Sequence, residues 1–363
     1  MNDINIFLCN SCKTAQILHD ISLDDYYENY NYTSACSTFT KNFMQKLAES
    51  LFEKYNLKKY CSVLEIGSGD GTQLSFFKKL GARVLGYEPS DALCKKSLET
   101  DIPVIKGLFT EESINLVPKE YPDIDVVLLT YTFDHIPEPI NFLKTVNKII
   151  NKKTGLLVIE VHDLEKIIKR NEYCLFEHEH FVYLTKETMN NLLAREGFVL
   201  VEAELIPEKY RRGNSLLVVA ASKESIYANN SRIQNSKKED LAQYIVINFN
   251  RKLQESIKKL DYFIESNLSN GKSIAGFGAG GRGVMTLAAM ETGNKFKYLS
   301  DNNSMMHGLF TPKTHIPIVP PQTLIDNPVD ILIVFNYGYI EEIKLQLSEI
   351  KDKTNIVSLL EIL

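Results

Sequence analysis

Val63-Leu64-Glu65-Ile66-Gly67-Ser68-Gly69-Asp70-Gly71-Thr72 decides the fold. The short apolar run Cys61–Ile66 reads as a buried strand, and the residues after Thr72 take up helical spacing. Between them, three glycines at alternate positions let the chain turn and let a ligand approach the backbone without meeting a Cβ. The spacing is GxGxG rather than the GxGxxG of dinucleotide binders, and an acid, Glu65, stands two residues before Gly67. About twenty residues further on, the next strand candidate ends in Gly86-Tyr87-Glu88-Pro89-Ser90. A carboxylate at that strand end can accept both hydrogen bonds of a ribose diol.

Working outward, Arg83–Tyr87, Val126–Thr130 and Leu156–Val161 are further strands, with helical stretches between them. Phe198–Ile206 and Ser215–Ala220 form a closing strand pair. Strands alternating with helices make an α/β, doubly wound, mostly parallel sheet covered on both faces. The glycine turn and Glu88, in this order and context, resemble the class I S-adenosylmethionine (SAM) methyltransferases. The resemblance implies a Rossmann-like fold and SAM as cofactor. It implies that Glu65, Gly67, Gly69 and Gly71 cradle the methionine part and that Glu88 takes the ribose. Gly107 falls near the adenine, and Thr130 and Tyr32 join the cofactor set.

The composition is that of an ordinary globular chain: 363 residues, 44% apolar, with 18 Gly and 12 Pro. Forty-one basic against 46 acidic residues leave a net charge of −5, which does not mark nucleic acid or an anionic membrane as a partner. No apolar run reaches the ~20 residues of a spanning helix. Met1-Asn2-Asp3-Ile4-Asn5 lacks the basic start and apolar core of a signal peptide, and six cysteines read as reduced thiols, so a cytoplasmic location is expected. Three parts are expected: a short N-terminal segment over 1–57, a cofactor domain over 58–221 and a C-terminal domain over 222–363. The polar stretch Ser222–Lys238 reads as the linker. A long amphipathic helix then carries Leu241, Ile245, Phe249, Leu253, Ile257, Leu260 and Ile264 and closes at Asn270-Gly271. Ser273–Phe277, Phe296–Ser300 and Ile331–Phe335 are strands of a second, smaller Rossmann-like unit.

Two places carry the chemistry of a base. The fourth strand runs into Thr130-Tyr131-Thr132-Phe133-Asp134-His135-Ile136-Pro137, at the strand end where such sheets bind ligands. Residues 176–185 read Phe-Glu-His-Glu-His-Phe-Val-Tyr-Leu-Thr, with Thr185 placed to cap the next helix. In an extended chain Glu177 and Glu179 face one way, His178 and His180 the other. An imidazole oriented by a carboxylate is the usual general base near neutral pH.

With this cluster the resemblance extends through nearly the whole chain. Phe7–Gln16, Tyr30–Ser34, His178-Glu179-His180-Phe181 with Tyr183, and Thr314-His315-Ile316-Pro317-Ile318 are similar, in that order, to motifs of the three-part sugar C-methyltransferases. That family methylates C3 of nucleotide-linked 4-keto-deoxysugars, for surface polysaccharides or glycosylated metabolites. The resemblance implies His180 as base, tuned by Glu179 or Glu177, with His178 beside it. It implies His135, Tyr32 or Tyr183 as donor to the developing oxyanion. Departures are Glu177, where the family has Tyr, and Tyr131, where it has Asn. They leave open an O- or N-methyltransferase on the same scaffold. The family's structural zinc needs two CxxC pairs; only Cys9-x-x-Cys12 is present, so no metal is expected.

The second glycine turn, Gly276-Phe277-Gly278-Ala279-Gly280-Gly281-Arg282-Gly283, fits GxGxxG, with Asp301 about twenty residues on. Alone it supports a nicotinamide-dependent oxidoreductase. The family resemblance instead implies a nucleotide-diphosphate sugar as partner there, with Gly278, Arg282, Asp301 and His315 as its residues. A non-catalytic SAM-binding protein is the remaining alternative.

Overall fold

The computed structural model describes residues 4–18, 22–28, 30, 37–211, 213–230 and 248–363. Two compact units emerge: residues 1–166 with 178–239, and residues 167–177 with 240–363. Residues 167–177, which sequence reading placed in the cofactor domain, thus pack with the second unit. Residues 231–238 of the expected linker lie outside the described residues.

In the first unit, β1 (Ile6–Leu8) and β2 (Ala15–Ile17) form an antiparallel hairpin, followed by α1 (Leu23–Glu28) and α2 (Thr38–Lys54). Ser37 caps α2 by accepting the Thr40 N–H at 3.3 Å, and Phe43, Leu47 and Leu51 give it a buried face. The main sheet then builds as β3 (Ser62–Ile66), α3 (Thr72–Lys79), β4 (Arg83–Glu88), α4 (Asp91–Glu99), β5 (Val104–Lys106), β6 (Val126–Thr130), α5 (Pro139–Ile149) and β7 (Leu156–Val161). After α6 (Leu164–Arg170), which the division between the units cuts, come β8 (Val182–Tyr183), α7 (Lys186–Arg195), β9 (Phe198–Leu205) and β10 (Leu216–Ser222).

The seven-stranded order is β5-β4-β3-β6-β7-β10-β9, parallel except for β10, which runs antiparallel to both neighbours. Both faces are covered. Val126 and Leu128 of β6 join one apolar core with α2 and α3; Val127 and Leu129 join the other with α5 and α7. That alternation is why these strands read as continuous apolar runs. A separate three-stranded sheet pairs β8 with β2. It ties the N-terminal hairpin to the residues that follow His180, and the Ile17 N–H reinforces this by donating to the Phe181 carbonyl at 3.0 Å.

The second unit holds α8 (Asn250–Ser269), β11 (Ile274–Phe277), α9 (Gly281–Ala289), β12 (Leu299–Ser300), β13 (Ile318–Val319), α10 (Gln322–Asp326), β14 (Ile331–Val334), α11 (Ile340–Gln346) and β15 (Asn355–Ser358). Its five strands are all parallel, in the order β13-β12-β11-β14-β15. The order reverses direction between β11 and β14, which opens a crevice at their C-terminal ends. Among the described residues no helix is long and apolar enough to cross a membrane.

Candidate active site

Because β3, β4, β6 and β7 are parallel, their C-terminal ends lie on one edge of the sheet. The glycine turn follows β3, with Gly67, Gly69 and Gly71 all at positive φ. At Gly69 a Cβ would meet nothing within 4 Å, so the turn faces open space. Its N–H donates to Glu88 Oε2 at 2.9 Å, while Glu88 Oε1 accepts the Ser90 N–H, also at 2.9 Å. Burial pushes the Glu88 carboxyl above the usual carboxylate range, and these two N–H donors oppose it. Glu65 is fully enclosed at the end of β3. Thr130 Oγ1 donates to its Oε1 at 3.3 Å, and Oε2 has no hydrogen-bond partner among the described residues. Burial holds the Glu65 carboxyl well above its ordinary pKa. Gly107 follows β5, one strand beyond, and its N–H donates to the Glu88 carbonyl at 3.0 Å. Tyr32 lies outside the described residues.

An open cradle, a buried carboxylate with an orphaned oxygen and a second carboxylate at the next strand end fit the amino-acid and ribose parts of SAM. Glu65, Gly67, Gly69, Gly71, Glu88 and Thr130 are the residues that would hold it.

On the β6–β7 side of the same edge the chain gathers four imidazole and carboxylate groups. Tyr131 is forced to φ +52°, an unusual backbone for a non-glycine, and Phe133 plugs the core completely. Between these anchors and Pro137, a single turn over Phe133–His135 aims Asp134 and His135. Asp134 Oδ2 lies 3.3 Å from His162 Nδ1 and 4.0 Å from His180 Nε2. The His135 and His180 ring centroids are 4.8 Å apart, those of His162 and His180 5.5 Å. Tyr183 meets the His180 ring edge-on at 6.0 Å. The Tyr27 hydroxyl, from α1, hydrogen-bonds His135 Nδ1. Burial lowers the His135 pKa to about 4, against the opposing pull of Asp134, so this imidazole is neutral at pH 7. The donor atoms of Asp134, His162 and His180 lie within 4.8 Å of one another. Three donors fall short of a closed structural zinc site, and the His162–Asp134 hydrogen bond already engages two of them.

Sequence reading placed His135 and His180 at this edge but missed Asp134, His162 and Tyr27. Their only signal was position: Asp134 precedes His135, and His162 follows the end of β7. The expected extended alternation of 177–180 is replaced by a turn at His178-Glu179, which leaves both half-buried while His180 is buried. After the turn, the Phe181 N–H donates to the Asp134 carbonyl at 2.8 Å. Glu179 acts on His135 and Tyr27 through its charge. Glu177 is the clearest departure. It groups with the second unit, where a methyl on Gly281 would come within 3.2 Å of its carboxylate.

In the second unit, Gly278 follows β11 and sits against Asn336, which follows β14. Asp301 follows β12 and accepts the Ala279 N–H at 2.7 Å and the Asn303 N–H at 2.8 Å. The Arg282 guanidinium stacks 5.0 Å over the Tyr337 ring, whose hydroxyl donates to the buried Glu172 at 2.9 Å. His315 does not join them. It is exposed three residues before β13, and therefore at the opposite, N-terminal edge of the parallel sheet. Cys9 and Cys12 flank the turn between β1 and β2 with free thiols.

Residues 36–203 match the family described as a methyltransferase domain, and residues 211–359 match the C-methyltransferase C-terminal domain. The C-methyltransferase NovU of Streptomyces niveus is 24% identical over 346 residues, covering 94% of this chain and 81% of NovU. Among solved structures, magnesium protoporphyrin IX methyltransferase from Synechocystis aligns with a TM-score of 0.41 at 12% identity, over 55% of this chain and 98% of that one. The 1,6-didemethyltoxoflavin-N1-methyltransferase of Burkholderia thailandensis aligns with a TM-score of 0.41 at 15% identity, over 60% and 98%. With the sheet order, the glycine turn and Glu88 in place, the chain is a SAM-dependent methyltransferase of the class I fold, and its residues 211–359 match the C-methyltransferase C-terminal domain.

Proposed function

We propose that the chain methylates a carbon beside the ketone of a deoxysugar linked to a nucleoside diphosphate. The observation that carries this reading is the pairing, on the edge that holds the glycine turn, of two unlike imidazoles. His180 is buried beside a carboxylate; His135 is neutral and hydrogen-bonded by Tyr27. A C–H next to a ketone becomes acidic only when the enolate charge is stabilised at oxygen, so the reaction needs a base at carbon and a separate donor at oxygen. Methylation of a hydroxyl needs the base alone.

In this reading His180 removes the proton, and its imidazolium forms beside Asp134. His135 stays neutral and donates a ring N–H to the developing oxyanion, with Tyr183 against the base. Bound at Glu65, Gly69 and Glu88, SAM supplies an electrophilic methyl group. Burial of the cluster keeps water from the carbanion. The likeness to NovU and the C-methyltransferase C-terminal domain support carbon as the acceptor. In the second unit, Arg282 at the start of α9 and Asp301 at the end of β12 suit a diphosphate and a ribose. In this reading the GxGxxG turn takes a sugar nucleotide rather than a nicotinamide.

The test is exchange of the substrate's α-proton. With a thymidine diphosphate 4-keto-deoxysugar and a non-reactive SAM analogue in deuterium oxide, the wild type is expected to place deuterium on the carbon beside the ketone. His180→Asn is expected to lose that exchange and to slow methyl transfer by ~10²–10⁴ while keeping SAM affinity. A new methyl on oxygen, with no deuterium at any sugar carbon, refutes the proposal.

A further inference from the structure

Asp134 is a carboxylate with only 3% of its surface exposed. The groups that face it are imidazoles from three stretches of chain. His135 is its own neighbour, His162 follows β7, and His180 precedes β8. Around His135 lie Tyr27 of α1 and Glu179. Burial pushes the Asp134 carboxyl up, but His180, the His162 hydrogen bond and His135 outweigh it and hold the group below the usual carboxylate range. A buried carboxylate without such compensation would neutralise itself by taking a proton.

The two oxygens differ. Oδ2 accepts from His162 Nδ1 at 3.3 Å and lies 4.0 Å from His180 Nε2. Oδ1 lies 4.0 Å from His135 Nε2 and has no hydrogen-bond partner among the described residues. The 4.0 Å gaps are too long for hydrogen bonds, and the one to His180 becomes an ion pair when that imidazole takes a proton. What fixes the carboxylate against His180 is the backbone: the Asp134 carbonyl accepts the Phe181 N–H at 2.8 Å, one residue past the imidazole. What fixes it from the other side is His162, whose ring packs on Tyr131 with centroids 4.6 Å apart.

We propose that Asp134 is the shared counter-charge of this network, a positioning residue that raises the basicity of His180 and is itself docked by His162. This rests on His180 being the base at carbon. When the substrate C–H breaks, its electron pair stays on carbon and spreads onto the carbonyl oxygen. The proton passes to a ring nitrogen of His180, and Asp134 remains ionised and neutralises the imidazolium. His162, when protonated, competes for the same carboxylate and so lowers the basicity of His180. The two neighbours therefore act on the base with opposite sign, which a merely structural pair would not do.

The experiment follows the His180 ring by ¹³C NMR through a pH titration of the ligand-free protein. Asp134→Asn is expected to lower the His180 pKa by ~1–2 units. Asp134→Glu, which keeps the charge, is expected to recover much of that shift. His162→Phe keeps a ring against Tyr131 and is expected to move the His180 pKa upward, so the proposal stays testable if Asp134→Asn fails to fold. The acid limb of α-proton exchange in deuterium oxide is expected to move the same way in each variant. A His180 pKa that moves by less than ~0.3 unit in Asp134→Asn, or falls in His162→Phe, overturns the proposal. So does a zinc ion retained on Asp134, His162 and His180 through dialysis against chelator. The readouts separate the two readings. Titration shifts as stated, with no deuterium exchange in the wild type, would establish the charge pairing and refute carbon as the site of attack. Exchange without titration shifts would do the reverse.

Discussion

Replacing Glu88 is the most direct perturbation of cofactor binding. Both of its oxygens already accept a backbone N–H at 2.9 Å, from Gly69 and from Ser90, leaving one acceptor position on each for the ribose. Glu88→Ala removes a charged acceptor and is expected to weaken SAM binding by roughly 1–3 kcal/mol. Glu88→Gln, nominally isosteric, is expected to lose at least as much. Its NH₂ must point at one of the two backbone N–H groups, setting donor against donor, and only one oxygen is left to accept. The pH dependence has a definite sign. Burial raises the Glu88 pKa, so the ionised acceptor is lost, as pH falls, at a higher pH than for an ordinary carboxylate. SAM affinity should therefore fall on acidification, and that dependence should vanish in Glu88→Gln. Calorimetric titration at several pH values measures both, with ligand-free thermal unfolding as a check on the turn. Glu88→Gln binding SAM within ~2-fold of wild type would refute the assignment of Glu88 to the ribose.

Two further outcomes follow from the same edge. His135, with its pKa lowered from 6.5 to about 4, must be protonated in the unfolded chain before the folded one, so folding loses stability as pH drops through that window, by up to ~3 kcal/mol. His135→Phe should flatten that part of the stability curve in urea titrations between those pH values, whereas His135→Gln, which keeps a neutral N–H donor, should retain ~10-fold more methyl transfer than His135→Phe. Gly69→Ala places a methyl where nothing lies within 4 Å, at φ +55°. The ligand-free protein should lose only ~1 kcal/mol from backbone strain, while SAM affinity falls by ~10-fold or more; an unchanged dissociation constant would show that the cofactor does not approach this turn.

The glycine turn and the carboxylate that meets it were legible in the sequence because they are local. The glycine turn and Glu88 belong to one strand-helix-strand unit, in which β4 pairs directly with β3. The apolar runs of β3, β6 and β7 announced a sheet buried on both faces before any partner was known. The histidine half was legible only in part. Asp134, His162 and His180 are separated along the chain by intervening helices and strands and meet because β6 and β7 are neighbours and β8 pairs with the N-terminal hairpin. Tyr27 reaches His135 from 108 residues away. Spacing along a chain reports which face a side chain takes within its own element, and it says nothing about which distant element will cover that face. The same limit accounts for the two residues placed elsewhere. Glu177 reads as part of one Glu-His-Glu-His run, yet the division between the two units falls between Glu177 and His178. His315 reads as a partner of the second glycine turn, but a parallel strand puts the residues before it and the residues after its neighbours on opposite edges. The sequence by itself determined the sheet and set a glycine turn and Glu88 at neighbouring strand ends; the tertiary structure alone decided which carboxylate the histidines share, since that depends on strand order.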